Sequence, residues 1–206
     1  MPTLLRIDCS PRGAEAHCWR MADELVAHFC ADRPDVVVAR RVLAETLPPF
    51  VDHGFASAMG SHTTAESARG VAALATSEQL IGELEFSDAL VIATPMHNFT
   101  VPAALKAWID QVVRVGRTFR IAPEGKIGSL KDRPTYVVVS SGGYYTGDRA
   151  RQPDFLTPYL TAILGTVGIR DLTFIRLQGL TRGDGPLAEA YAGARAEIAG
   201  LARRER

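Results

Sequence analysis

Short runs of β-branched and apolar residues alternate with helix-compatible stretches along the whole chain, and this alternation restricts the fold more than any other feature. The strand-like runs fall at residues 3–7, 35–39, 89–93, 135–140 and 172–177. The third, Ala89-Leu90-Val91-Ile92-Ala93, is apolar at every position, the pattern of a strand covered on both faces in a parallel sheet. Between the first two, Cys18, Ala22, Leu25, Val26 and Phe29 recur at helical spacing and predict one buried stripe. Residues 64–85 are rich in Ala, Glu and Leu, a helix composition. Pro102 stands at a favoured first-turn position ahead of Leu105, Trp108, Ile109 and Val112. Residues 156–167 and 186–203 complete the set of predicted helices. Residues 43–63, with Pro48-Pro49, read as mostly loop, and residues 117–134 as a hairpin or excursion. Five strands with intervening helices predict a doubly wound α/β sheet with helices on both faces, in one domain over residues 1–206.

Composition narrows the function classes. Lys+Arg and Asp+Glu both number 23, so the formal net charge is zero. That balance supplies no electrostatic case for nucleic acid or an anionic membrane, and it argues against an acidic carrier steered to its partners by charge. No apolar run approaches the ~18 residues that span a bilayer. The first residues read as strand rather than as a basic-then-apolar leader. Cys9, Cys18 and Cys30 are odd in number and contain no CxxC, which predicts neither a disulfide framework nor a zinc cluster. The histidines lack ligand spacing, so no metal site is expected. A reducing cytoplasm is the expected setting.

In an open parallel sheet, ligands bind at the carboxyl ends of strands, near the point where strand order reverses. Three loops there carry unusual sequences. After the first strand comes Asp8-Cys9-Ser10-Pro11-Arg12-Gly13, whose hydroxyl, guanidinium and backbone N–H groups suit a phosphate, a plain turn being the alternative. The loop contains neither GxGxxG nor GxxxxGK[ST]. Low-molecular-weight tyrosine phosphatases need Arg six residues beyond their loop Cys, whereas Glu15 follows Cys9 at that distance. After the third strand, Pro95-Met96-His97-Asn98-Phe99 offers an apolar wall plus polar groups to a flat heteroaromatic ring, or simply a tight packed connection. After the fourth, Ser140-Ser141-Gly142-Gly143 allows close backbone approach.

Together these loops resemble the FMN-dependent NAD(P)H azoreductase and quinone reductase family. That family pairs a Ser after strand one with Pro-Met-[Tyr/His]-Asn-Phe after strand three and Ser-x-Gly-Gly after strand four. Further matches run in order along the chain. They are Leu105-Lys106-x-Trp108-x-Asp110, Arg114-x-Gly116-x-Thr118-Phe119-Arg120, Leu156-Thr157-Pro158-Tyr159-Leu160 and Leu164-Gly165-x-x-Gly168-Ile169. The resemblance implies a flavodoxin-like sheet of strand order 2-1-3-4-5 and a homodimer with FMN near the interface. It also implies ping-pong transfer of a hydride from NADH or NADPH, through the flavin, to a quinone or azo compound. Ser10 would bind the FMN phosphate, Pro95, Met96, His97, Asn98 and Phe99 would flank the ring, and Ser140, Ser141, Gly142 and Gly143 would approach its other polar edge.

One departure concerns the phosphate. The family's Ser-x-Ser beyond the first Ser reads Ala16-His17-Cys18 here, which loses two hydroxyls and leaves helix-start N–H groups, with His17 and Arg12 as replacement donors. The family's Arg in the fourth-strand loop is replaced by Ser141. No side chain is required as a nucleophile, and neither HExxH nor GxSxG is present. His97 is the one candidate for a catalytic hydrogen bond or proton, its alternative being ring wall. Cys18 falls on the apolar stripe and is expected to pack. Two other readings share the scaffold: a flavodoxin-type electron-transfer module, and a flavin-free regulatory or binding protein.

Overall fold

The structure, a computed structural model, describes residues 1–31, 33–60 and 68–201. Its main sheet is parallel and contains β1 (Thr3–Asp8), β2 (Val37–Val42), β3 (Ala89–Pro95), β6 (Thr135–Ser140) and β7 (Leu172–Leu177). The spatial order is β2-β1-β3-β6-β7, which is 2-1-3-4-5 among the sheet strands. β4 (Phe119–Ala122) and β5 (Gly125–Gly128) form a separate antiparallel hairpin, within the stretch read as a hairpin or excursion. The helices are α1 (His17–Cys30), α2 (His53–Gly60), α3 (Ala68–Glu85), α4 (Ala103–Val112), α5 (Thr157–Val167) and α6 (Asp184–Leu201).

Strand alternation sends neighbouring residues to opposite faces, so each face acquires its own core. Leu4, Val91, Val138 and Ile175 meet α1 and α6 through Met21, Leu25, Ala194 and Ile198. Leu5, Ile7, Ile92 and Val137 meet α3, α4 and α5 through Leu80, Leu84, Trp108, Leu160 and Leu164. β6 is buried at every position and β3 at all but Pro95. β3 thus has the two-sided burial that its continuous apolar run predicted, and β6 shares it.

Two elements differ from the sequence reading. The second strand lies at Val37–Val42 rather than at residues 35–39. Pairing with β1, from Thr3↔Val37 to Asp8↔Val42, sets its span. Arg40 and Arg41 ended the apolar pattern, yet both belong to this edge strand because Arg40 Nε donates to Asp8 at 2.7 Å and Arg41 pairs with Glu83. The stretch read as mostly loop holds α2, whose Asp52 Oδ1 accepts from Phe55 N at 2.8 Å. Phe55 and Ala58 of α2 pack on Leu74 of α3, a tertiary contact with little local signal. Residues 61–67 lie outside the described residues, as do 202 and 203 at the predicted end of α6.

The excursion is fastened to the end of α5 by backbone contact. Leu130 N donates to Val167 O at 3.0 Å, and Gly168 ends α5 at φ 110°, conformational territory that favours glycine. A Cβ on Gly168 would stand 2.5 Å from Leu130 O, and one on Gly128 would stand 2.2 Å from Gly168 N. Gly168→Ala is therefore expected to destabilise the fold by about 1–3 kcal/mol in chemical denaturation. Gly165→Ala, inside α5 with open space at its Cβ, is expected to stabilise it by about 0.5–1 kcal/mol.

Candidate functional site

The paired strands end almost level at their carboxyl ends, with Pro95 opposite Ser140 and Ser140 opposite Leu177. Loops after β1, β3, β6 and β7 consequently share one edge of the sheet. They enclose two adjoining hollows that have Met96, Ser141, Gly142 and Thr181 in common. The first, about 220 Å³, is bounded by Ser10, Arg12 and His17 on the β1 side. The second, about 350 Å³, is bounded by Asn98, Phe99, Gln152 and Arg182.

At the first hollow, Ser10 is buried and its Oγ accepts from Arg12 N at 3.2 Å. A 3₁₀ turn at Gly13–Glu15 leads into α1, whose N-cap is Ala16 and carries no side-chain cap. The first-turn N–H groups thus face a site lined by a hydroxyl and a guanidinium, the donor set of an anion pocket. His17 Nδ1 lies 3.0 Å from Tyr191 Oη of α6, with the rings edge-on. Burial, then Arg20 and Arg12, push the His17 pKa below its usual value. The imidazole is therefore mostly neutral near pH 7.

Beneath this loop lies a buried charge cluster. Arg6 Nε and Nη2 donate to Asp8 Oδ1 at 3.0 Å, Arg40 caps Oδ2, and Arg6 Nη1 also reaches Asp23. Trp19 receives the Arg40 guanidinium 4.1 Å above its ring, while its carbonyl accepts from Arg6 at 3.2 Å.

The loop after β3 forms a small hairpin. His97 and Thr100 exchange both backbone hydrogen bonds at 2.9 Å, and Asn98 and Phe99 between them adopt φ 48° and 70°. Two consecutive positive φ values define a type I′ turn, favourable for Asn and strained for Phe. Phe155 N holds Phe99 O at 3.0 Å from the far side, and Met96 N donates to Ser140 O at 2.8 Å.

All the sequence-predicted residues line one or both hollows except Cys18: Ser10, Ala16, His17, Pro95, Met96, His97, Asn98, Phe99, Ser140, Ser141, Gly142 and Gly143. Cys18 is fully buried among Met21 and Ala22 and does not line either hollow. The paired glycines have a neighbour that sequence did not reveal. A Cβ on Gly143 would stand 2.4 Å from Gln152 Oε1, and one on Gly142 would stand 3.0 Å from Thr181. Gln152 Nε2 in turn reaches Ser141 Oγ at 3.2 Å and Met96 Sδ at 3.3 Å, fastening the loops together. Gln152, Leu180, Thr181, Arg182 and Tyr191 were all missed. The carboxyl-end rule applied to the fifth strand would have found three of them at residues 180–182. The Arg114-x-Gly116-x-Thr118 signature is structural: Thr118 Oγ1 accepts from Arg114 N at 2.9 Å and donates to Val112 O at 2.7 Å.

A doubly wound sheet in this strand order, with its groove at the carboxyl edge, defines a flavodoxin-like protein. The profile of the flavodoxin-like fold family matches residues 2–201, and the chain belongs to that family. Its relatives include a protein from Pseudomonas fluorescens named FMN-dependent NADH:quinone oxidoreductase 4. That protein is 53% identical over 185 residues, covering 89% of this chain and 87% of the relative. One from Burkholderia lata, named FMN-dependent NADH:quinone oxidoreductase 5, is 47% identical over 204 residues, covering 99% and 98%. A solved azoreductase from Bacillus anthracis superposes with a TM-score of 0.88 at 22% identity, covering 99% of this chain and all of that one. Among the described residues, no helix is long and apolar enough to cross a membrane.

The thiols also separate by environment. Burial pushes Cys9 well above its usual pKa and Cys18 up to about 11. Cys30 alone is partly exposed. A chromogenic disulfide at about pH 8 is expected to react quickly with one thiol in native protein and with the other two only after denaturation. Cys30→Ser should abolish the fast phase.

Proposed function

We infer that this chain is an FMN-dependent oxidoreductase that passes electrons from NADH to quinones and azo compounds. The observation that carries the reading is the continuous groove at the carboxyl edge, whose two ends differ in chemistry. One end offers the Ser10 hydroxyl, Arg12 and the uncapped start of α1, a donor set for a phosphate. The other offers Met96, Phe99 and the polar backbone around Ser141 and Gly142, suited to a flat heteroaromatic ring. The residues present therefore fit FMN. The relatives' names supply the donor and the quinone, and the solved neighbours' titles the azo acceptor.

Bound there, FMN supplies two-electron transfer between the nicotinamide and the acceptor, in a ping-pong sequence. The protein's part is placement. Ser10, Arg12, the backbone of residues 16–18 and His17 hold the phosphate. Pro95, Met96, His97, Asn98 and Phe99 form one wall, with Ser140, Ser141, Gly142 and Gly143 along the other edge. Gln152 keeps the two walls in register by bonding both. His97 lines the first hollow and serves as wall. No acid–base side chain is assigned to the transfer step.

A homodimer in the cytoplasm completes the proposal. Phe99 and Phe155 are exposed beside the groove, apolar surface that a second subunit would cover while narrowing the site. The three unpaired cysteines suit a reducing compartment.

Purified protein should be yellow, or turn yellow with added FMN; NADH should bleach the colour and a quinone restore it. Failure to bind added FMN would refute the reading. Asn98→Ala, which removes the residue best suited to its positive φ, should weaken FMN binding by roughly tenfold in a fluorescence titration, about 1.4 kcal/mol.

A further inference from the structure

Among the groups assigned to the phosphate end, His17 is the one side chain that can titrate near neutral pH. His17 occupies the first position of α1, lines the hollow beside Ser10 and Arg12, and is only partly exposed. Its Nδ1 is engaged at 3.0 Å by Tyr191 Oη, which arrives from α6 on the far side of the chain. The edge-on ring contact, centroids 5.8 Å apart, holds the imidazole against rotation. With Nδ1 so engaged, Nε2 is the nitrogen left for the hollow. Ala16 offers no hydroxyl at the N-cap, and the Cys18 thiol is buried in the core.

Resting on the FMN assignment, we propose that His17, oriented by Tyr191, is a proton-switched ligand of the cofactor's phosphate, so that this chain holds FMN more tightly when the imidazole is charged. Charged, the ring donates from both nitrogens: Nδ1–H to Tyr191 Oη and Nε2–H to a phosphate oxygen. The extra proton comes from solvent on binding.

The groups facing His17 set the sign. Arg12 and Arg20 flank it from its own stretch of chain, and burial adds to their effect, so the free imidazole resists protonation. Tyr191 is the facing group of α6, and behind it Arg195 pairs with Glu24 of α1. His97, Ser140 and Thr181 line the other sides of the hollow, and Arg182 stands at the adjoining one. Glu15, in the turn before α1, is exposed, and Asp8 beneath is engaged by Arg6 and Arg40. A phosphate dianion reverses this cationic bias and raises the His17 pKa in the complex above that of the free protein. The contribution to binding is then fully present below the free-state pKa and is lost as pH rises through the bound-state pKa. The phosphate's own second ionisation, near pH 6, weakens the dianion at lower pH, so the effect is read above it.

Riboflavin, which shares the ring but lacks the phosphate, separates the two ends of the groove. Both flavins are titrated into apoprotein by fluorescence between about pH 6.5 and about pH 8.5. FMN affinity is expected to fall roughly tenfold across that range and riboflavin affinity to stay level. His17→Gln, which keeps a donor but cannot titrate, should flatten the FMN profile and leave riboflavin unchanged. Tyr191→Phe keeps the ring contact and should displace the midpoint of the FMN profile. As a readout that needs no variant, the His17 imidazole followed by NMR should titrate at higher pH in the FMN complex than in the riboflavin complex. The same FMN profile in wild type and His17→Gln, or parallel losses of both flavins, overturns this proposal and leaves the cofactor assignment standing. Wild-type protein that binds neither flavin overturns both.

Discussion

The rest of the structure depends on the burial of β3 and β6 on both faces. Helices cover each side, so a polar residue within these strands would be stranded without water, at a cost of several kcal/mol unless paired. Functional polarity can emerge only where the strands end. Because pairing brings Pro95, Ser140 and Leu177 level, it emerges from neighbouring strands along a single edge. A slip of one residue would turn each apolar set to the wrong face, so the same hydrophobic burial that stabilises the sheet also fixes the position of the groove.

β1 departs from this rule, and its departure supports the phosphate end. Leu4, Arg6 and Asp8 point to the α1 face, and two of the three are charged and buried. Asp8 is tolerated there because Arg6 and Arg40 meet both of its oxygens while Trp19 and Asp23 occupy the remaining donors of Arg6. Removing one partner of such a cluster typically costs about 3–5 kcal/mol, since the other charge is left buried. The cluster joins β1, β2 and the first turns of α1, directly beneath Ser10. The anion-binding end of the groove therefore rests on a base whose geometry is enforced by buried charge.

The ring end is built differently. Asn98 and Phe99 hold positive φ within a hairpin closed by His97 and Thr100, and Phe155 secures Phe99 from outside. Strain of this kind persists only where surrounding contacts over-determine the conformation. Here those contacts come from the segment 140–155, through Ser140, Gln152 and Phe155. One end of the site is thus positioned by charge and the other by strained backbone, with Gln152 between the ring-end walls.

Much of the fold was legible from local pattern: five sheet strands, the hairpin at residues 119–128 and five of the six helices among the described residues follow from runs or turn signals within one stretch of chain. α2 and the true span of β2 were hidden, because their residues are helical or extended only through partners distant in sequence, Leu74 for Phe55 and Asp8 for Arg40. The three strand-end loops were also legible, since unusual residues at the ends of apolar runs have few structural uses. By itself the sequence determined the layer architecture and the kinds of side chain available at the carboxyl edge, because both depend on local pattern. Only the tertiary structure decided that Tyr191 meets His17 across 174 positions, that Gln152 lies against Gly143, and that Cys18 turns inward. Those outcomes depend on where separate elements come to rest in space, which no local pattern encodes.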